Sequence, residues 1–391
     1  MNRNVLVLLL SGALGLCIAP MVVFIGGLVG ASLAPDPELS TLPVAGIVIG
    51  TACAVIPVSR LMQRFGRKKI FLAASLYSAL VSCFAAISIS YESFWLFCLS
   101  TVLLGGALAV IQQYRFAAME SVEPYLAPKA ASFVLLGGLI AAILGPELAH
   151  LGRALHEVPF SGSFTLLSIL CLLSGVVMLF FQPVVVTGGE EELGGRPLID
   201  IMHSSLFWVA VMSATIGYAV MSYVMTATPV SMHVMEGHSL EDTKWVIQSH
   251  ILAMFLPSLV SGYLISKFGE YRLMLAGLAA YTVCLMIALS GQNVMHYWLG
   301  LVLLGIGWNF LFVAGTVLLP KVYQPAERYK VQGFNDFFVF VFQAAASISS
   351  GVVIYSVGWN SLLIYAIPLI LVQMLVIFIW RIGKSKEGEL V

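Results

Sequence analysis

Residues Ser59–Phe71 read SRLMQRFGRKKIF, and residues Gly262–Met274 read GYLISKFGEYRLM. Each sets a basic residue, an aromatic and a glycine in a row, Arg64-Phe65-Gly66 and Lys267-Phe268-Gly269, between long apolar stretches. Glycine accepts the positive φ that a tight reversal between helices needs. Two copies of one turn predict a chain built from two repeated halves.

Working outward, apolar stretches of membrane-spanning length fall at about 4–30, 43–60, 70–90, 94–117, 129–151, 163–183, 203–231, 243–266, 272–290, 296–319, 331–357 and 360–381. The fold class expected is an all-α membrane protein of twelve transmembrane helices. A polar run containing TGGEEELGGRPLID interrupts the series at its middle. It predicts an N-terminal six-helix half over 1–183, a cytoplasmic loop over 184–202 and a C-terminal six-helix half over 203–391. Parallel repeats of six helices are a transporter architecture.

Composition agrees. Of 391 residues, 60% are hydrophobic and 10% charged, with a mean hydropathy of +0.98; soluble domains carry about 25% charged residues. No polar region is long enough for a soluble catalytic domain, so an enzyme is not expected. The zero net charge argues against nucleic acid as a partner and leaves the lipid bilayer. Six cysteines sit singly in apolar segments, which fits neither a disulfide framework nor a zinc site. Met1–Ala19 has the look of a signal peptide, but its apolar run continues to Gly30 and reads as an uncleaved first helix. With both termini in the cytoplasm, seventeen Lys and Arg lie on the inner side and only Arg153 and Lys244 on the outer. That asymmetry predicts a multi-pass membrane protein in this orientation.

The chemistry concentrates between Tyr218 and Phe255. Met221 and Met225 lie four apart in the seventh helix, His250 and Met254 four apart in the eighth. Residues at i and i+4 share a helical face. Both pairs sit roughly 9–16 Å below the outer surface at ~1.5 Å per residue. Three thioethers and an imidazole form a soft, neutral ligand set that suits Cu(I) and tolerates an apolar setting. Methionine also fills irregular apolar gaps, so packing is an equally consistent use of the MxxxM pair. Beyond the seventh helix, Met232, His233, Met235 and His238 are accessory metal candidates in a polar loop. Candidates for gating or coupling are Arg64 and Arg67 in the first turn, with Glu120 and Arg115 at the inner end of the fourth helix. Asp336 and Lys330 at the inner end of the eleventh join them. Glu147 and His150 approach the outer face, and Trp308-Asn309 is a polar break that turns toward a central cavity.

The Ser59–Lys68 turn resembles the major facilitator signature G-x-x-x-D-R-x-G-R-R/K at Arg64, Gly66, Arg67 and Lys68, departing at Ser59 and Gln63. MSYVMTATP, VIQSHILAMFLPS and VQGFNDFFVF resemble the CcoA-like copper importers, a bacterial branch of that superfamily. The resemblance implies copper, as substrate rather than permanent cofactor, bound at Met221, Met225, His250 and Met254 and passed toward cbb3-type oxidase assembly factors. The same family contains riboflavin-transporter-like members. Import of riboflavin or another small organic solute stays open, as does proton-coupled export, which the Gly145-Pro146 bend suggests.

Overall fold

The computed structural model describes residues 2–123, 130, 133–134, 136–182, 195–324 and 327–388. All regular structure among them is helical. Most of the expected central loop and the start of the expected fifth helix lie outside the described residues.

The main helices are α1 (Arg3–Gly15), α2 (Ile18–Leu33), α3 (Leu42–Phe65), α4 (Arg67–Ser90), α5 (Phe94–Ile111), α6 (Tyr114–Glu120), α7 (Gly137–Gly152) and α8 (Ser161–Leu179). After a short α9 (Leu198–Met202) come α10 (Ser205–Pro229), α11 (Leu240–Phe255), α12 (Ser258–Ser290), α13 (Val294–Leu318) and α14 (Arg328–Gly388). Nine helical spans among the described residues are long and apolar enough to cross a membrane, and α7 is a shorter apolar helix. The long α12 and α14 are each two helices meeting at a glycine, Gly269 and Gly358. Divided there, the helices supply the twelve crossings the hydropathy predicts.

Three crossings that read as continuous are broken. The first divides between α1 and α2 because Pro20 has no N–H to give the Leu16 carbonyl; that carbonyl accepts from Ala19 N instead, at 3.2 Å. The fourth divides between α5 and α6. The eighth divides at Leu256-Pro257, so its first part is α11 and its second opens α12.

The helices form two compact units, one of Met1–Thr187 with Pro229–Ile251, the other of Gly188–Thr228 with Leu252–Val391. In the first, α3 and α5 touch backbone to backbone. A Cβ at Gly50 would stand 1.8 Å from the Val102 carbonyl oxygen, and one at Gly105 2.2 Å from that of Ile47. Small residues are what allow membrane helices this approach. Thr51 Oγ1 donates to the Gly105 carbonyl across it at 3.0 Å. In the second unit, Ser213 Oγ donates to the Leu311 carbonyl (2.8 Å) and Tyr281 Oη to that of Gly217 (2.6 Å). These bonds seat α10 against α13 and α12.

The two turns carry the same backbone solution, Gly66 at φ 81°, ψ 152° and Gly269 at φ 80°, ψ 163°. Each is followed by a charged residue paired with the end of a helix in its own unit, and the signs are exchanged. Arg67 makes a bidentate bridge to Glu120, Nε to Oε2 at 2.8 Å and Nη2 to Oε1 at 2.5 Å. Glu270 accepts from Lys321 Nζ at 2.5 Å.

Nothing lies within 4 Å of a Cβ added at Gly66, Gly269 or Gly262. Only the first two need positive φ, in a region that costs a side chain about 1–3 kcal/mol. Gly66→Ala and Gly269→Ala should each lower the unfolding temperature of detergent-solubilised protein by several degrees. Gly262→Ala, in regular helix, should leave it unchanged or raise it. Equal behaviour of all three would refute the backbone requirement.

Candidate functional site

Met221 and Met225 lie on one stripe of α10, both nearly inaccessible. The stripe begins with Tyr218. Its ring stands edge-on to Trp308 (5.1 Å, 86°) and Phe312 (5.3 Å, 89°) of α13, which stack on each other at 5.1 Å and 12°. Phe255, at the end of α11, adds an edge contact to Trp308 at 6.1 Å. Helices α10, α11 and α13 thus bring four aromatics together beside the methionine stripe.

Asn309 does not turn toward a cavity as its sequence context suggests. It closes the break in the eighth crossing. Its Nδ2 donates to the Met254 carbonyl (2.7 Å) and to Ser258 Oγ (2.6 Å), and its Oδ1 accepts from Ser261 Oγ (2.8 Å). Pro257 has no N–H to give the Ala253 carbonyl and interrupts the helix ladder, and Asn309 bonds the neighbouring Met254 carbonyl inside that break. Met254 is 8% exposed and His250 fully buried.

Three of the accessory candidates, Met232, His233 and Met235, are in a helix rather than a loop; His238 lies in the short segment after it. Pro229 cannot donate to the Met225 carbonyl, and the chain continues as a π-helix over Val230–Met235. Met232 is fully buried there, and His233 Nδ1 donates to the His238 carbonyl at 2.8 Å. Met235 is exposed. Met232, His233 and Met235 therefore lie on a folded helix end, and His238 in the segment that follows is tied to it through His233. Among the described residues no group of three or more His, Cys, Asp and Glu is placed to hold a metal.

Beyond this helix end, in the first unit, Lys244 is 6% exposed at its side chain and bridges Glu147 (3.0 Å) and Glu241 (2.8 Å). Gln248 Nε2 also donates to Glu147, and His150 Nε2 stands 3.4 Å from Glu241. Glu147 and His150, read singly in the sequence, belong to this one cluster joining α7 to α11.

Of the gating candidates, Arg67 holds Glu120. Arg115 lies over the Phe116 ring at 4.7 Å, not on Glu120 as its spacing suggests, and Arg64 over Phe65 at 5.2 Å. Lys330 Nζ donates to the Arg196 carbonyl, and Asp336 accepts from Asn335 Nδ2 at 3.1 Å. Sequence reasoning missed Glu327. Its carboxylate, with no exposed side-chain surface, accepts from Arg196 Nε (2.9 Å), Nη2 (2.9 Å) and backbone N (2.7 Å) and from Gln324 N (2.9 Å). The Arg196 guanidinium foremost, then these amides, hold the carboxyl down to about 2. A lone acid just before an apolar helix, matched by a lone Arg at the end of the central loop, was the available signal.

A family model described as Major Facilitator Superfamily matches residues 5–241 and 216–390. The chain belongs to the major facilitator superfamily. It is 37% identical to the riboflavin transporter RfnT of Brucella anthropi, over 99% of this chain and 98% of that one. It is 28% identical to the uncharacterized MFS-type transporter YddS of Bacillus subtilis, over 92% of this chain and 87% of that one. A bacterial homolog of the human lysosomal transporter Spinster, crystallised in an inward-facing and occupied conformation, shares the fold. Its TM-score is 0.75 at 12% identity, covering 97% of both chains.

These relatives correct the expectation of copper import. A full-length relative at 37% identity is named for an organic solute, and that removes the ground for reading Met221, Met225, His250 and Met254 as copper ligands. Copper as cargo and delivery to cuproenzyme assembly fall with it. Thioethers are polarizable and pack well on aromatic rings, which accounts for methionines beside the Tyr218 cluster without a metal.

Two outcomes follow from this geometry. Asn309→Leu takes the side-chain donor from the buried Met254 carbonyl, a loss of about 1–3 kcal/mol, while Ser261 Oγ keeps its bond to the Pro257 carbonyl (2.8 Å). It should reduce thermal stability far more than Ser261→Ala; a neutral Asn309→Leu would show that the clamp does not hold the break. For Glu327, a carboxyl depressed from the ordinary 4.5 contributes fully above that pH and progressively less as pH falls toward 2. The gap in unfolding temperature between wild type and Glu327→Gln should therefore be widest at pH 5 and above and narrow from pH 4.5 to 3. A pH-independent gap would contradict the assignment.

Proposed function

We propose that this protein is a secondary transporter that imports riboflavin or a closely related flat organic solute across the bacterial inner membrane by alternating access. The observation that carries the reading is the 37% identity to the riboflavin transporter of Brucella anthropi along virtually the whole of both chains. The aromatic and methionine surface of α10 and α13 supports it, because a flat heteroaromatic ring is held by dispersion and stacking rather than by charge. In this reading Met221, Met225 and Met254 line the solute path within the second unit, with the termini in the cytoplasm. The chain then works as six-helix halves over 1–183 and 203–391 joined by the 184–202 loop. Arg67–Glu120 serves the gate at the first turn, where Arg64 and Arg115 contribute charge; Lys330 and Asp336 contribute charge at the start of α14 in the second unit.

The test is uptake of labelled riboflavin by a bacterial strain unable to make or import the vitamin. Expression of wild type should restore growth on low riboflavin. Met225→Leu, which keeps volume and apolarity, should retain uptake within about threefold, an effect under roughly 1 kcal/mol. Copper accumulation should not change. Absence of riboflavin uptake at normal membrane levels would defeat the proposal.

A further inference from the structure

The geometry points to Trp308 as the residue that reads the edge of the solute's ring system, through a hydrogen bond from its indole N–H to a ring carbonyl or nitrogen. The inference rests on the riboflavin reading above and adds the residue and the class of ligand atom.

The wall around Trp308 is held rigidly. Ser213 bonds α10 to α13, Tyr281 bonds α12 to α10, and Asn309, one residue along, is tied to Met254, Ser258 and Ser261. It stacks on Phe312 and meets Tyr218 and Phe255 in edge contacts. Yet Trp308 is 3% exposed, and its Nε1 is buried with no hydrogen-bond partner among the described residues. A donor left unmatched in an apolar interior is unfavourable, and phenylalanine would supply the packing without it. Asn309 has both its amide atoms committed, so it does not accept this proton. A flat heterocycle with acceptors on its rim satisfies both features, stacking against the aromatics and the Met221–Met225 stripe while accepting from the indole. A plain arene satisfies only the first.

The experiment is riboflavin binding to the purified full-length protein in detergent, read by quenching of flavin fluorescence. Trp308→Phe keeps a ring and removes the donor; Trp308→Leu removes both. Expected is about tenfold weaker binding for Trp308→Phe and a larger loss for Trp308→Leu, with Met21→Leu, far from the cluster in sequence, unchanged. Competition on the wild-type protein gives a readout that does not depend on variant folding. Lumichrome, the tricyclic ring without its sugar-alcohol chain, should displace riboflavin, and ribitol should not. Displacement by ribitol alone, or equal affinity in Trp308→Phe and wild type, overturns the role of Trp308 and leaves the riboflavin reading standing. No riboflavin binding by the wild type overturns both.

Discussion

Inside a bilayer, a backbone carbonyl that loses its helical partner finds no water to replace it. That constraint governs the interior of this protein. Prolines at 20, 229 and 257 each withdraw a donor from an apolar helix, and each interruption is answered locally. The Leu16 carbonyl takes a tighter bond from Ala19. The chain after Pro229 widens into a π-helix. Beside Pro257, which leaves the Ala253 carbonyl without its helical donor, the next carbonyl, Met254, is met by a side chain from another helix, Asn309. The third answer sets where α11 ends, and so where Phe255 meets Trp308. A single asparagine is in this way upstream of the aromatic group that the proposed solute contacts.

Charges are used sparingly, in two regimes. The Arg67–Glu120 and Lys321–Glu270 pairs are partly exposed, where an ion pair contributes only about 0–1 kcal/mol. Their role is geometric, fixing a helix end to a turn. Lys244 and Glu327 have almost no exposed side-chain surface. Removing a partner from a buried charge is far more damaging than the net contribution of the pair, which makes those two clusters the places least tolerant of single substitution.

Helix number, the repeat and the two glycine turns were legible because each follows from a pattern with one physical cause: apolar length, or a residue that alone accepts positive φ. The breaks within crossings were less so. Pro20 and Pro257 are visible in the sequence, but a proline announces only that a bond is lost, not which side chain replaces it. Asn309 looked like a cavity residue because a polar group in an apolar run has either a ligand or a helix to satisfy, and spacing does not distinguish them. Glu120 was open to Arg115, five residues before it, and to Arg64 or Arg67 of the first turn; spacing did not choose among them, and the bidentate fit belongs to Arg67. The substrate was the least legible, because thioethers at i and i+4 serve a soft metal and a flat ring equally well.

The exchange of sign between the two turns has a consequence for how the halves diverged. After an ancestral duplication both copies would have carried the same pair, and each half's turn would have fitted the other half's helix end. With Arg67 facing Glu120 but Glu270 facing Lys321, a crossed pairing sets like charges together. Each turn is therefore matched in charge to the helix end of its own unit and mismatched to the other's.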